Sequence, residues 1–200
     1  MKSARQQQIL EVLATELETR PGARISTASL AAAIGVSEAA LYRHFASKAK
    51  MFDALIDFAE ESVFGLVNRI LAETSDVVVR CGQICGVVLR FADRNPGITR
   101  VLMGDILVGE HERLRGRVAQ FFERLETQLR QVLRDSLLAA GAQPDRATIN
   151  AAASLLMACV AGRLAQYVRS GYRQSPAALW DEQWAMLARG IFVRDGADAG

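Results

Sequence analysis

Ser26, Thr27 and Ser37 carry hydroxyls, Tyr42 and His44 carry polar rings, and Arg43 and Lys48 carry positive charge, all in one short segment. Hydroxyls and cations on a common surface suit the oxygens of a phosphodiester backbone. Arg43 is the only long cation between Ser37 and Phe45, and its donor fork matches guanine O6 and N7. Lys48, just beyond, is a point charge for the backbone. Ala39 and Ala40 allow close approach and can meet a thymine methyl.

Two short helices must position these groups. Ser26 or Thr27 can cap a helix through Leu30 to Ile34, which Gly35 stops. Ser37 then caps a helix from Glu38 to Phe45. Between them, Gly35-Val36-Ser37 supplies positive φ and a small apolar wedge. Leu30, Ile34, Leu41 and Phe45 are the expected shared core, and Ala31 and Ala32 permit close crossing. This is a helix-turn-helix layout, with the second helix offered to a major groove. Its amides and positive dipole end add to the phosphate-facing surface.

The rest of the chain also reads as helix, so the fold class is all-α. Ile9, Leu13 and Leu17 mark a first helix from about 4 to 20. Ser47 caps a helix to about Leu71, and Asp76 caps another that ends before Asn95-Pro96-Gly97. A short helix follows from Ile98 to about Leu107, and a long one from about Glu110 to Ala140. In it Glu126 and Arg130 stand one turn apart, and Gly141 follows it at the position a C′ glycine takes. Pro144 opens an alanine-rich helix to about Ser170. Ser175-Pro176 reads as the cap and first residue of the last helix, whose one face carries Trp180, Trp184, Leu187 and Ile191. The expected division is a DNA-binding domain over 1–48, a helical dimerisation and partner-binding domain over 49–194, and a disordered tail over 195–200.

Half of the 200 residues are hydrophobic and 23% are charged, which allows a sizeable core. Residues 1–50 carry seven Lys/Arg against four acids, and the remainder is near neutral. Three cysteines and a polar start to the chain point to a reducing cytoplasm. No run of about 18 apolar residues stands out, so no membrane span is expected. Cys81 and Cys85 lie one turn apart and read as core. With two histidines and no phosphate loop, dinucleotide fingerprint, metal-ligand spacing or nucleophile elbow, neither enzyme chemistry nor a cofactor or metal is expected.

The block from Val36 to Phe45, with Ser47-Lys48 and Met51-Phe52 after it, resembles the signature of TetR-type regulators. These are homodimers with an N-terminal DNA-binding head and a body that pairs through its last two long helices. Three separated pieces resemble the nucleoid occlusion branch of that family. They are Ser37 to Phe45, the Arg94-Asn95-Pro96-Gly97 turn with Thr99-Arg100, and Phe122 to Arg134. The resemblance implies palindromic chromosomal sites, association with the nucleoid, and a second partner, the division GTPase FtsZ, whose polymers would be antagonised. Phe58, Arg94 and Asn95 match positions implicated in FtsZ binding near the fourth and fifth helices. Leu66, Val87 and Arg90 depart from the branch, where an arginine, a leucine and a glycine are usual. The expected dimer seam is Leu156, Val160, Leu164, Trp180, Trp184 and Leu187. Two other readings compete: a ligand-responsive repressor on the same fold, and an interaction scaffold with a vestigial head.

Overall fold

Side-chain caps set where most of the helices begin. In the computed structural model, which describes residues 3–20, 25–107, 112–143 and 145–192, Ser3 and Gln6 form a capping box for α1 (Ala4–Thr19). Ser26 and Ser29 do the same for α2 (Thr27–Ile34). Ser37 caps α3 (Glu38–His44), Ser47 caps α4 (Lys48–Glu73) and Asp76 caps α5 (Val77–Arg94). Pro96 opens α6 (Pro96–Met103), and a 3-10 turn over Asp105–Leu107 follows it. The body closes with α7 (Glu112–Ala139), α8 (Arg146–Arg169) and α9 (Trp180–Phe192). All nine helices are α and no strand occurs among the described residues.

Two starts differ from expectation. Asp145, whose carboxylate accepts from the amides of Ala147 and Thr148, caps α8; Pro144 lies outside the described residues. The last helix starts at Trp180, four residues beyond Pro176. Arg163 explains the delay. Its guanidinium donates to the carbonyls of Pro176 (2.9 Å), Ser175 (3.2 Å) and Ala178, so these groups turn toward α8. Leu179 then takes φ +59°, a strained value for a leucine, before the helix can begin. The tail expected over 195–200 lies outside the described residues.

Head and body share one continuous core. The expected boundary at 48/49 falls at the first residue of α4, which runs unbroken from one to the other. α6 is the peg of this core. Pro96, Gly97, Ile98, Thr99, Arg100, Val101 and Leu102 are all buried. The Arg100 guanidinium donates to the carbonyls of Leu17 (2.9 Å) and Arg20 (3.1 Å), closing the C-terminus of α1. α4 and α7 are joined by charge as well as by apolar contact. Asp53, 6% exposed, accepts from Arg113 and Arg117. Arg117 also reaches Asp57 at 2.8 Å and Glu60 at 2.9 Å.

Gly97 sits where α6 crosses α1. A Cβ there would lie 2.0 Å from the Ala14 carbonyl oxygen, a backbone atom that cannot move aside. Gly97→Ala is therefore expected to destabilise the protein by about 1–3 kcal/mol, read as a lower urea midpoint. An unchanged midpoint would mean that α1 and α6 can separate without cost.

Candidate nucleic-acid interface

Gly35 takes φ 74° and ends α2 in a left-handed turn. The Gly35 amide donates to Ala32 (3.1 Å) and the Val36 amide to Ala31 (3.0 Å), so the last carbonyls of α2 are satisfied. The turn seats α3 across α2. Leu30, Leu41 and Phe45 are buried in the same core as Leu13 and Leu17 of α1. Ile34 is only half-buried, and Ala32 is exposed, so Ala31 alone makes the close crossing. Gln6 adds a polar joint: its side-chain amide donates to the His44 carbonyl at 3.0 Å. That bond ties α1 to the end of α3.

The expected DNA-contact residues differ in exposure. Ser26, Ser37, Ala39, Tyr42 and Arg43 are exposed; Thr27, Ala40, His44 and Lys48 are half-buried. The Ser37 hydroxyl accepts from the Ala40 amide at 3.2 Å, and Ser26 caps α2, so both hydroxyls also hold helix starts. The Lys48 ammonium lies 5.6 Å from the centre of the Phe52 ring, on the first turn of α4. Lys50, exposed nearby, pairs with Asp53 at 3.5 Å.

Glu38 belongs to the same face and sequence reasoning passed over it. The Thr27 hydroxyl donates to Glu38 Oε2 at 2.7 Å, and the Tyr42 hydroxyl lies 3.4 Å from Thr27 Oγ1. A signal was present: Glu38 is the sole acid between positions 26 and 50.

A second surface lies beside the head. Phe58, 40% exposed, and Asn95 line a groove of about 130 Å³ with Leu10, Ala14, Leu55 and Ile98. The Phe58 ring lies 6.1 Å from that of Phe91, and the Asn95 side chain donates to the Phe91 carbonyl at 2.8 Å. Arg94, exposed at the end of α5, adjoins Asn95. Thus the packing of α4 against α5 brings Phe58 beside the turn at Arg94 and Asn95, more than thirty residues away in sequence.

Four of the six expected dimer residues lie inside the chain's own core. Leu156, Val160 and Leu164 are fully buried within the chain, and Trp180 is 5% exposed with its indole donating to the Gly82 carbonyl at 3.0 Å. Side chains enclosed by their own subunit have no surface left for a second copy. Trp184 and Leu187 are half-buried and pack on the same core. The outward face of α8 instead carries Ala151, Leu155, Ala158 and Gly162, and that of α9 carries Met186, 71% exposed. α8 is also long and apolar enough, by length and composition, to cross a membrane, contrary to the expectation of no such run. One-third of its most apolar stretch is buried.

Cys81 and Cys85 belong to the core. Both are buried, and burial pushes the Cys81 thiol up to about 12 and raises that of Cys85 too. Neither supplies thiolate at neutral pH. No cluster of metal-ligating side chains occurs among the described residues.

Comparison with known proteins agrees with this architecture. Residues 9–55 match the family described as bacterial regulatory proteins, tetR family, and residues 75–191 match the tetracyclin repressor-like, C-terminal domain. The nucleoid occlusion factor SlmA of Colwellia psychrerythraea is 55% identical over 94% of this chain and 94% of its own. That of Marinomonas sp. is 50% identical over 96% of this chain and 97% of its own. The chain belongs to the SlmA branch of the TetR family. Proteins of this branch are DNA-binding regulators, not enzymes. Among solved structures, the MbdR regulator from Azoarcus sp. CIB shares the fold at TM-score 0.77 and 16% identity, covering 95% of this chain and all of that one. A TetR-family regulator from Bordetella parapertussis does so at TM-score 0.72 and 19% identity, over 92% and 94% of the two chains.

The half-buried Lys48 and exposed Arg43 are expected to behave differently on DNA. Lys48→Ala should weaken binding to every duplex and lower the slope of log K against log salt by about one unit. Arg43→Ala should cost about 1–3 kcal/mol, concentrated at one base position. Titrations of each variant across salt and across single-base-pair substitutions check both. Equal loss by Arg43→Ala on all sequences would move that residue to the phosphate backbone.

Proposed function

We propose that the protein is a division inhibitor that binds palindromic chromosomal sites as a homodimer, engages FtsZ, and antagonises FtsZ polymers and Z-ring assembly over the nucleoid. The observation that carries the FtsZ step is the groove in which Phe58 and Asn95 meet, with Arg94 beside it. Its apolar wall and exposed aromatic suit a short peptide with hydrophobic anchors. Membership of the SlmA branch supports the same reading. The packed centre of the body supports it over an inducer-released repressor, which needs a roomy interior; a cavity of about 470 Å³ lined by Val77, Leu137, Ile149, Phe192, Gln143 and Thr148, where α5, α7, α8 and α9 meet, is the observation that favours the repressor. Ile84, Leu89, Phe121, Leu125 and Leu129 are at most 1% exposed and occupy the centre of the body. Met103 and Phe122 line a shallower surface cleft of about 360 Å³ between α6, α7 and α8.

Reading a palindrome needs two heads about 34 Å apart, one turn of DNA. The outward faces of α8 and α9 supply a self-complementary surface for this. Ala158 and Gly162 permit close helix approach, and Leu155 and Met186 are the anchors.

Sedimentation of GTP-assembled FtsZ polymers with the protein and a palindromic duplex tests the partner. The pellet is expected to shrink, and Phe58→Ala should restore it while leaving DNA affinity within about twofold, because the exposed ring lies outside the head core. Undiminished pelleting at saturating dimer would sink the FtsZ step. Separately, Leu155→Asp with Met186→Asp should shift the protein to a monomer in sedimentation velocity and weaken operator binding, each carboxylate meeting its counterpart across the two-fold seam. A dimer of unchanged mass would place the seam elsewhere.

A further inference from the structure

The DNA-facing surface holds one group of the wrong sign for it. Glu38 is exposed on the first turn of α3, in a segment that also carries Arg43, Lys48 and Lys50, with no other acid between positions 26 and 50. A carboxylate only accepts hydrogen bonds. Phosphate and sugar-ether oxygens likewise only accept, so Glu38 gains nothing from the backbone and repels it. At 4 Å in water a like charge weakens an encounter by about fivefold. The donors that a duplex offers in its major groove are the amino groups of cytosine N4 and adenine N6.

The carboxylate is also aimed. Thr27, at the first position of α2, donates to Oε2 at 2.7 Å, and Tyr42 stands behind Thr27 at 3.4 Å. Glu38 and Tyr42 are four residues apart and share a stripe of α3, beside the stripe that carries Ala39 and Arg43. Among the described residues Thr27 is the one donor to Glu38, so most of its acceptor capacity faces outward. N-terminal residues of a recognition helix are those that meet base edges.

We propose that Glu38 is a specificity-determining residue: its carboxylate, braced by Thr27 and Tyr42, accepts from cytosine N4 in the major groove and rejects DNA that lacks an amino group there. The inference rests on the DNA-reading role given above. It assigns to Glu38 a penalty on non-cognate DNA and a gain at one base pair, whereas Arg43 supplies the complementary donor to guanine.

The test starts from the duplex that the wild-type protein enriches from a randomised library. Affinities are measured by fluorescence anisotropy at fixed salt for that duplex, for each symmetric single-base-pair change in it, and for an unrelated duplex. Wild type is expected to lose about tenfold or more when one particular C·G pair is replaced. Glu38→Gln should lose that penalty, favour adenine at the same position through its amide, and bind the unrelated duplex about fivefold more tightly. Glu38→Asp, which keeps the charge but is one methylene shorter, should lose the same discrimination without the gain on unrelated DNA, and it serves if the amide variant does not fold. Retention of every wild-type base-pair penalty in these variants, with only a uniform change in affinity, would overturn the proposal and leave Glu38 as a brace between α2 and α3. Failure of the wild type to enrich any sequence would overturn the DNA-reading role itself, and this proposal with it.

Discussion

A guanidinium removed from water costs several kcal/mol unless its donors are used. Arg100 is 2% exposed and spends its donors on the carbonyls of Leu17 and Arg20, at the negative end of α1. The arrangement works because α6 is a short, wholly buried helix pressed against α1, with Gly97 letting the two backbones approach. Thr99 reinforces the peg by donating to the Ala92 carbonyl at 3.1 Å. The head is small, with helices of 16, 8 and 7 residues, and its apolar residues belong to the same core as the body's. Its orientation is inherited from α6, and so from the body.

α4 carries that orientation from the other side. Its first turn bears Lys48 and Lys50, and its next turn bears Asp53. Asp53 takes Lys50 on one side and Arg113 and Arg117 of α7 on the other. The half-exposed members of such a network add little stability singly. Their effect is positional: a nearly buried carboxylate held by arginines from α7 fixes the rotation of α4, and with it the places of the two lysines.

Much of this was legible because capping chemistry is local. Ser26, Ser37, Ser47 and Asp76 each cap the helix that their sequence context assigns, and Gly35 takes the left-handed turn expected of it. What escaped depends on distant residues. Ser175-Pro176 has the form of a helix start, and only Arg163, twelve residues upstream, diverts it. On α8 the apolar residues surround much of the helix, so periodicity could not tell the face turned to the chain's own core from the face left outside. Leu156, Val160 and Leu164 belong to the first, Leu155 and Gly162 to the second. Glu38 escaped for another reason. A lone acid at a helix start has a sufficient local explanation in the dipole, and its tie to Thr27 appears only when α2 and α3 are crossed.

The two surfaces share α1, and this decides which residues can separate them. Gln6 of α1 holds the end of α3, while Gln7, Leu10, Glu11 and Ala14 of the same helix line the groove. Leu10 is 5% exposed and belongs to the common core, so truncating it would leave a cavity under both surfaces at once. Phe58 stands differently. It rises from α4 at 40% exposure and rests on Phe91 of the body. A change there alters the groove wall while Leu13, Leu17, Leu30 and Leu41, which seat the recognition helix, keep their contacts. The two surfaces are thus separable through packing: the residue that divides them is the exposed one that stands outside the common core and rests on Phe91.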